Sequence, residues 1–142
     1  QLENLEEGMS KDVETLQKQM AMLSDGVQRL QASKEGSEAV AEMRDGTEIM
    51  VPLTGSIYVP GKIKDPNAVL VDVGTGYFVE KEPAKAAEYF GRRATVLKQE
   101  GEKTAAALTE KRQHLEAVAA VLEKKKAVMG PRQGATKQST AR

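Results

Sequence analysis

The chain has 142 residues, of which 39% are apolar, 4% aromatic and 30% charged, with no Trp and no Cys. One domain is expected at this length, but material for a thick globular core is scarce, and disulfides and thiolate metal sites are excluded. Lys and Arg balance Asp and Glu at 21 each, and no apolar run nears the roughly 18 residues of a membrane span, so neither a membrane protein nor a nucleic-acid binder is indicated.

The zero net charge conceals an asymmetry. Residues 1–47 carry 5 basic and 10 acidic side chains, whereas residues 83–129 carry 10 and 6. An acidic segment and a basic one of similar length favour antiparallel pairing within one chain, each exposed pair adding a few tenths of a kcal/mol. No secretory signal is seen, so the cytoplasm is the expected location, with the nucleus as a second address. Because the chain opens on Gln1 rather than Met, a few residues are expected upstream.

A first helix is predicted over residues 1–46. Leu2, Leu5, Met9, Val13, Leu16, Met20, Leu23, Val27 and Leu30 recur at steps of three and four, the spacing of one helical face. Two successive steps of four around Met9 form a stutter, which locally unwinds a supercoil. The pattern loosens over residues 33–37, resumes weakly at Val40 and Met43, and meets a natural stop at Gly46. A helix of this length would extend about 65–70 Å.

Residues 47–82 read as two β-hairpins in series. Strands are predicted over 48–53, 56–59, 68–73 and 77–81, with Ile49, Val51 and Leu53, then Ile57 and Val59, then Val69, Val71 and Val73 alternating on one face. Thr54-Gly55 and Gly74-Thr75-Gly76 supply the turns, while Pro60-Gly61 and Asp65-Pro66-Asn67 mark the connection between hairpins. Pro52 and Pro60 lack the ladder donor and belong on edges or at bulges. Four short strands with helices leaving at the same end cannot close a core. Their apolar residues, Phe78 included, therefore require neighbouring subunits.

The second helix is predicted over residues 83–129. Its seam runs through Ala87, Phe90, Ala94, Leu97, Leu108, Leu115, Val118, Leu122 and Met129, with Gly101, Thr104, Lys111 and Lys125 as small or polar interruptions. Pro83 suits the first helical position and Gly130-Pro131 the stop. Facing positions should sum to about 131, as Leu2 and Met129 do, which brings the outer ends of the two helices together. The fold class is thus mainly α with a small β part, an antiparallel coiled-coil hairpin joined by two β-hairpins. Residues 130–142 are Gly-, Ser-, Thr- and Lys/Arg-rich and are expected to form a disordered basic tail.

Few residues suggest chemistry. Asp72-Val73-Gly74-Thr75-Gly76 is the one segment resembling a catalytic loop, but a protease would need a second carboxylate in a matching loop, and a plain hairpin turn accounts for it. His114 is the lone histidine and has no Cys to share a metal with. Lys124-Lys125-Lys126 fits the end of a helix, where cations are favoured. No catalytic, metal or cofactor residue is assigned. The apolar residues near the open end, Leu2, Leu5, Met9, Val121, Leu122, Val128 and Met129, suit either coiled-coil packing or adaptable contact with a non-native chain, methionine serving both.

Val51-Pro52-Leu53-Thr54, Ile57-Tyr58-Val59-Pro60-Gly61 and Val71-Asp72-Val73-Gly74-Thr75-Gly76-Tyr77-Phe78-Val79-Glu80-Lys81 together look like prefoldin of the α class, nearest to a eukaryotic member. The resemblance extends over residues 2–129. It implies one of two α-class subunits in a hexamer with four β-class subunits, whose strands form a double β-barrel from which coiled coils project. It further implies an ATP-independent co-chaperone that captures unfolded or nascent actin and tubulin and delivers them to the cytosolic chaperonin. Client contacts would then fall on Leu2, Leu5, Met9, Val121, Leu122 and Met129, and subunit contacts on Ile49, Val51, Leu53, Ile57, Val59, Val69, Val71, Val73 and Phe78. The competing readings are a structural coiled-coil adaptor for one folded partner and, far behind, an enzyme acting through Asp72.

Overall fold

The computed structural model describes residues 1–130. Its elements are α1 (Leu2–Ala41), β1 (Glu48–Pro52), β2 (Tyr58–Lys62), β3 (Val69–Gly74), β4 (Tyr77–Lys81) and α2 (Pro83–Met129). The predicted basic tail lies outside the described residues from position 131 onward.

The first helix stops at Ala41 rather than near Gly46. Its end tightens, because the Glu42 and Met43 N–H groups donate to Ala39 and Val40, the i→i−3 spacing of a closing turn. Thr47 then builds a separate turn. Its hydroxyl donates to the Arg44 carbonyl at 2.6 Å and accepts from the Arg44 N–H at 3.2 Å. Gly46 adopts φ +81° and donates its N–H to Ile63 at 2.7 Å. The glycine starts the first hairpin instead of capping the helix. Upstream, where the apolar pattern weakens, the buried Ser37 hydroxyl is satisfied by the Ser33 carbonyl at 2.8 Å, so the helix continues there.

Pro83 opens α2 and is buried. Its missing N–H falls where a helix has no internal acceptor to offer. The first α2 bond runs from the Ala86 N–H to Glu82 at 2.9 Å.

The strands form two separate antiparallel pairs, β1–β2 and β3–β4. In the first, Ile49 faces Gly61, Met50 faces Pro60, Val51 faces Val59 and Pro52 faces Tyr58. The second strand therefore runs from Tyr58 to Lys62, two to three residues later than the sequence pattern suggests. Pro60-Gly61 sits inside it rather than in the connection. The glycine has a packing reason: a Cβ at position 61 would approach Val51 Cγ2 to 3.3 Å. In the second pair Val71 faces Val79 and Asp72 faces Phe78, with a bulge between Asp72 and Gly74. Gly74, Thr75 and Gly76 turn the chain with φ of +106°, +52° and +80°.

The chain divides into two compact units. One holds Gln1–Ala21 with the part of α2 from Gly101; the other holds Met22–Glu100. In each, α1 and α2 run antiparallel. In the first, Lys111 reaches Asp12 and Lys126 reaches Glu3. In the second, the α-carbon face of Gly26 lies against Leu97 and that of Gly91 against the Lys34 stem. Positions 12 and 111 sum to 123, as do 26 and 97, whereas Glu3 and Lys126 sum to 129, so the register meets the expected value of about 131 at the outer ends and falls below it further along the helices. The core is thin: its most buried apolar side chains in the second unit are Val71, Ala86, Ala87 and Ala94, with Val13 and Leu122 in the first.

Candidate functional site

Both hairpins carry more apolar surface than they cover. On β1–β2 the strand alternation puts Ile49, Val51 and Val59 on one face, continued by Leu53 and Ile57 around the turn. Leu53, Ile57, Val51 and Val59 are all exposed, and Ile49 is half-buried. The turn that holds them is tied by the Leu53 N–H to the Ile57 carbonyl at 2.9 Å and by the Ser56 N–H to the Thr54 hydroxyl at 3.4 Å.

The second hairpin differs. Val71 is only 3% exposed, and it lines a groove with Leu30, Ser33, Tyr89 and Phe90 of the helices. It is satisfied within its own chain, so it does not offer the contact to a neighbouring subunit assigned to it from sequence. Val69 is half-buried, whereas Val73 and Phe78 are exposed. Phe78 pairs with Asp72 and so belongs to the face opposite Val71 and Val79. That face also carries Leu70, 71% exposed, which the sequence reading did not single out. Met50, Tyr58 and Tyr77 are likewise exposed and were not singled out. The signal for them lay in the unbroken apolar runs at 49–51, 57–59, 69–71 and 77–79. Strands covered on both faces read that way.

Asp72 is engaged in the turn. Its carboxylate accepts the Gly74 N–H at 2.9 Å, an Asx arrangement that supports the bulge. Among the described residues no group of three or more His, Cys, Asp or Glu could hold a metal ion. No helix there is long and apolar enough to cross a membrane.

The second apolar region is at the outer helix ends. Leu2, Leu122 and Met129 line one groove with Gln1, Glu3, Lys125 and Lys126. The Lys126 ammonium closes its rim on Glu3 at 3.2 Å. Leu122 is 6% exposed and fills the space between the helices, so its side chain is used internally and is not free for a client. Met129 is 79% exposed and Val128 84%. Leu5 and Val121 are exposed outside this groove, and Met9 is half-buried. The structure thus brings three of the six predicted end residues together and leaves the other three apart.

The Glu14 carboxyl is displaced below its ordinary range. A hydrogen bond and the charge of Lys18 hold it low, the pair lying 2.9 Å apart on the exposed side of α1.

Comparison with known proteins matches this arrangement. The profile of the prefoldin subunit family covers residues 9–127. Prefoldin subunit 5 of Homo sapiens is 38% identical over 125 residues, which is 88% of this chain and 81% of that protein. Probable prefoldin subunit 5 of Dictyostelium discoideum is 35% identical over 118 residues, 79% of this chain and 74% of that one. Among solved structures, filamentous PFD from Methanocaldococcus jannaschii aligns with a TM-score of 0.69 at 20% identity, covering 80% of this chain and 94% of that chain. Two long helices, two small hairpins and these relatives agree: the chain belongs to the prefoldin family, whose subunits are non-enzymatic components of a chaperone co-factor complex.

Proposed function

We propose that the chain is an ATP-independent co-chaperone subunit of a cytoplasmic hexamer of two α-class and four β-class prefoldin subunits. It captures unfolded or nascent chains, actin and tubulin among them, and passes them to the cytosolic chaperonin. The observation that carries this reading is the exposure of apolar residues on both hairpins, together with that of Val128 and Met129 at the end of α2. Unsatisfied sheet edges and faces call for sibling strands, which complete a β-barrel. Apolar helix ends a few residues wide bind weakly one at a time, and joining six pairs on one base raises their effective concentration strongly.

The test is a reconstitution with β-class subunits, assayed for suppression of aggregation of denatured actin. Removing residues 1–9 and 118–142 is expected to abolish suppression while the hexamer persists in native mass measurement. Full activity of the truncated assembly refutes the helix ends as the client site. Capture of one folded partner with no effect on denatured actin favours the adaptor reading instead.

A further inference from the structure

The ladder of the first hairpin fixes which backbone groups it offers to neighbours. The Leu53 N–H donates to Ile57 at 2.9 Å and the Ile63 N–H to Thr47 at 3.0 Å, bracketing an unbroken register. Antiparallel pairs alternate between hydrogen-bonded and non-hydrogen-bonded. The pairs Ile49–Gly61 and Val51–Val59 are therefore bonded, while Glu48–Lys62, Met50–Pro60 and Pro52–Tyr58 turn their backbone groups outward. Both prolines fall in this outward set. The open edge of β1 presents Glu48, Met50 and Pro52, and the open edge of β2 presents Tyr58, Pro60 and Lys62. Each edge thus has three acceptors but lacks one donor, because proline has no N–H.

The gap weighs differently on different partners. In a full-length antiparallel pairing between two copies, each brings one proline, so two bonds are missing. On a two-fold axis beside β2, Pro60 would face Pro60, each carbonyl directed at the other's ring nitrogen, which has no hydrogen to donate. A proline-free strand from another polypeptide meets only one missing donor. The second hairpin has no proline in either strand, so this discrimination resides in the first.

We propose that Pro52 and Pro60 are specificity-determining residues that make β1–β2 accept a proline-free strand of a different polypeptide in preference to a second copy of this chain. The proposal rests on the reading of the hairpins as assembly elements. It adds to that reading the reason for choosing non-self. Neither proline donates in the intramolecular ladder, so replacing them leaves every bond of the hairpin in place.

The experiment compares wild type, Pro60→Ala and Pro52→Ala/Pro60→Ala, with Pro66→Ala, which lies outside the strands, as the control for backbone stiffness. Self-association is measured by sedimentation equilibrium, and affinity for a β-class prefoldin subunit by fluorescence anisotropy. Each restored hydrogen bond is expected to strengthen pairing about tenfold. The double variant should therefore self-associate about a hundredfold more tightly while its affinity for the β-class subunit rises only about tenfold. Equal gains in both measurements overturn the proposal, as does no change in either. If the double variant loses its fold by circular dichroism, Pro60→Ala alone carries the same comparison. Should wild type bind no β-class subunit, the assembly reading fails by itself, and the self-association of the variant still decides what the prolines do.

Discussion

The Lys111 ammonium meets the Asp12 carboxylate at 3.0 Å, tying α2 to α1 between residues far apart in sequence. Lys111 interrupts the apolar seam of α2, and the contact explains how a lysine is tolerated there. Both side chains remain about half exposed, 43% and 57%, so water and salt screen the pair. A double-mutant cycle with Asp12→Ala and Lys111→Ala is expected to give a coupling of about 0.2–1 kcal/mol in urea unfolding, shrinking at 1 M salt. A coupling of several kcal/mol, or one indifferent to salt, contradicts the geometry.

The helices also hold glycines that nothing requires. A Cβ at Gly36 or Gly101 would meet no atom within 4 Å, and at Gly26 it would touch Leu97 Cδ2 at an ordinary 3.6 Å. Alanine at each position should stabilise its helix by about 1 kcal/mol, read as a higher urea midpoint with an unchanged slope. Destabilisation at Gly26 would show that the helices lie closer there than the 3.6 Å contact indicates.

Thr75 presents the opposite case. It is the one non-glycine residue with positive φ among the described residues, at +52°, and a β-branched side chain is poorly suited to that region. Thr75→Gly is expected to relieve roughly 1 kcal/mol of strain, partly offset by the greater freedom of glycine in the unfolded chain. Amide exchange within β3 and β4 should slow, while β1 and β2 stay unchanged. Faster exchange in the second hairpin would mean that the threonine contributes a contact worth more than its strain.

On α1 the Glu14–Lys18 pair makes a pH-dependent contribution of known sign. The Glu14 carboxyl is held below its ordinary range, first by the hydrogen bond from Lys18 and then by its charge. Its folded value is therefore lower than its unfolded one. The stabilisation is complete above the ordinary carboxylate range and is lost as pH falls through the depressed folded value. An NMR titration of the Glu14 carboxyl should return to the ordinary range in Lys18→Ala. An unmoved midpoint rules the lysine out as the cause.

Element order and type were readable from the chain because they depend on local signals: steps of three and four for α1 and α2, alternation for the strands, Pro83 for a helix start. Boundaries set by longer-range bonds were not. The end of α1 is decided by the Gly46 N–H reaching Ile63 and by the Thr47 turn, neither of which a helical pattern reveals. The second strand holds Pro60-Gly61 because Pro60 needs no donor at its outward position and Gly61 clears Val51. The sequence also separated the apolar faces too strictly, missing Leu70 while counting Val71, whose exposure the helices remove. At the helix ends it could not sort Leu122 from Met129. That distinction is one of burial between two residues on the same seam.

The same distinction yields the most direct test of the helix ends. Leu122 is buried and Val128 and Met129 stand in solvent, although all three are apolar and lie within eight residues. Leu122→Ala should cost about 2 kcal/mol, the low end for a buried leucine because its surroundings can collapse toward a helix terminus. It should weaken client holding only as far as it loosens the helices. Val128→Ser/Met129→Ser should leave the unfolding midpoint within about 0.5 kcal/mol of wild type. If these residues meet clients, the same variant should hold denatured actin less well, because multivalent capture amplifies a small loss at each end. Unchanged holding with unchanged stability removes Val128 and Met129 from the client surface. The exposed Leu5 and Val121 then become the next residues to replace.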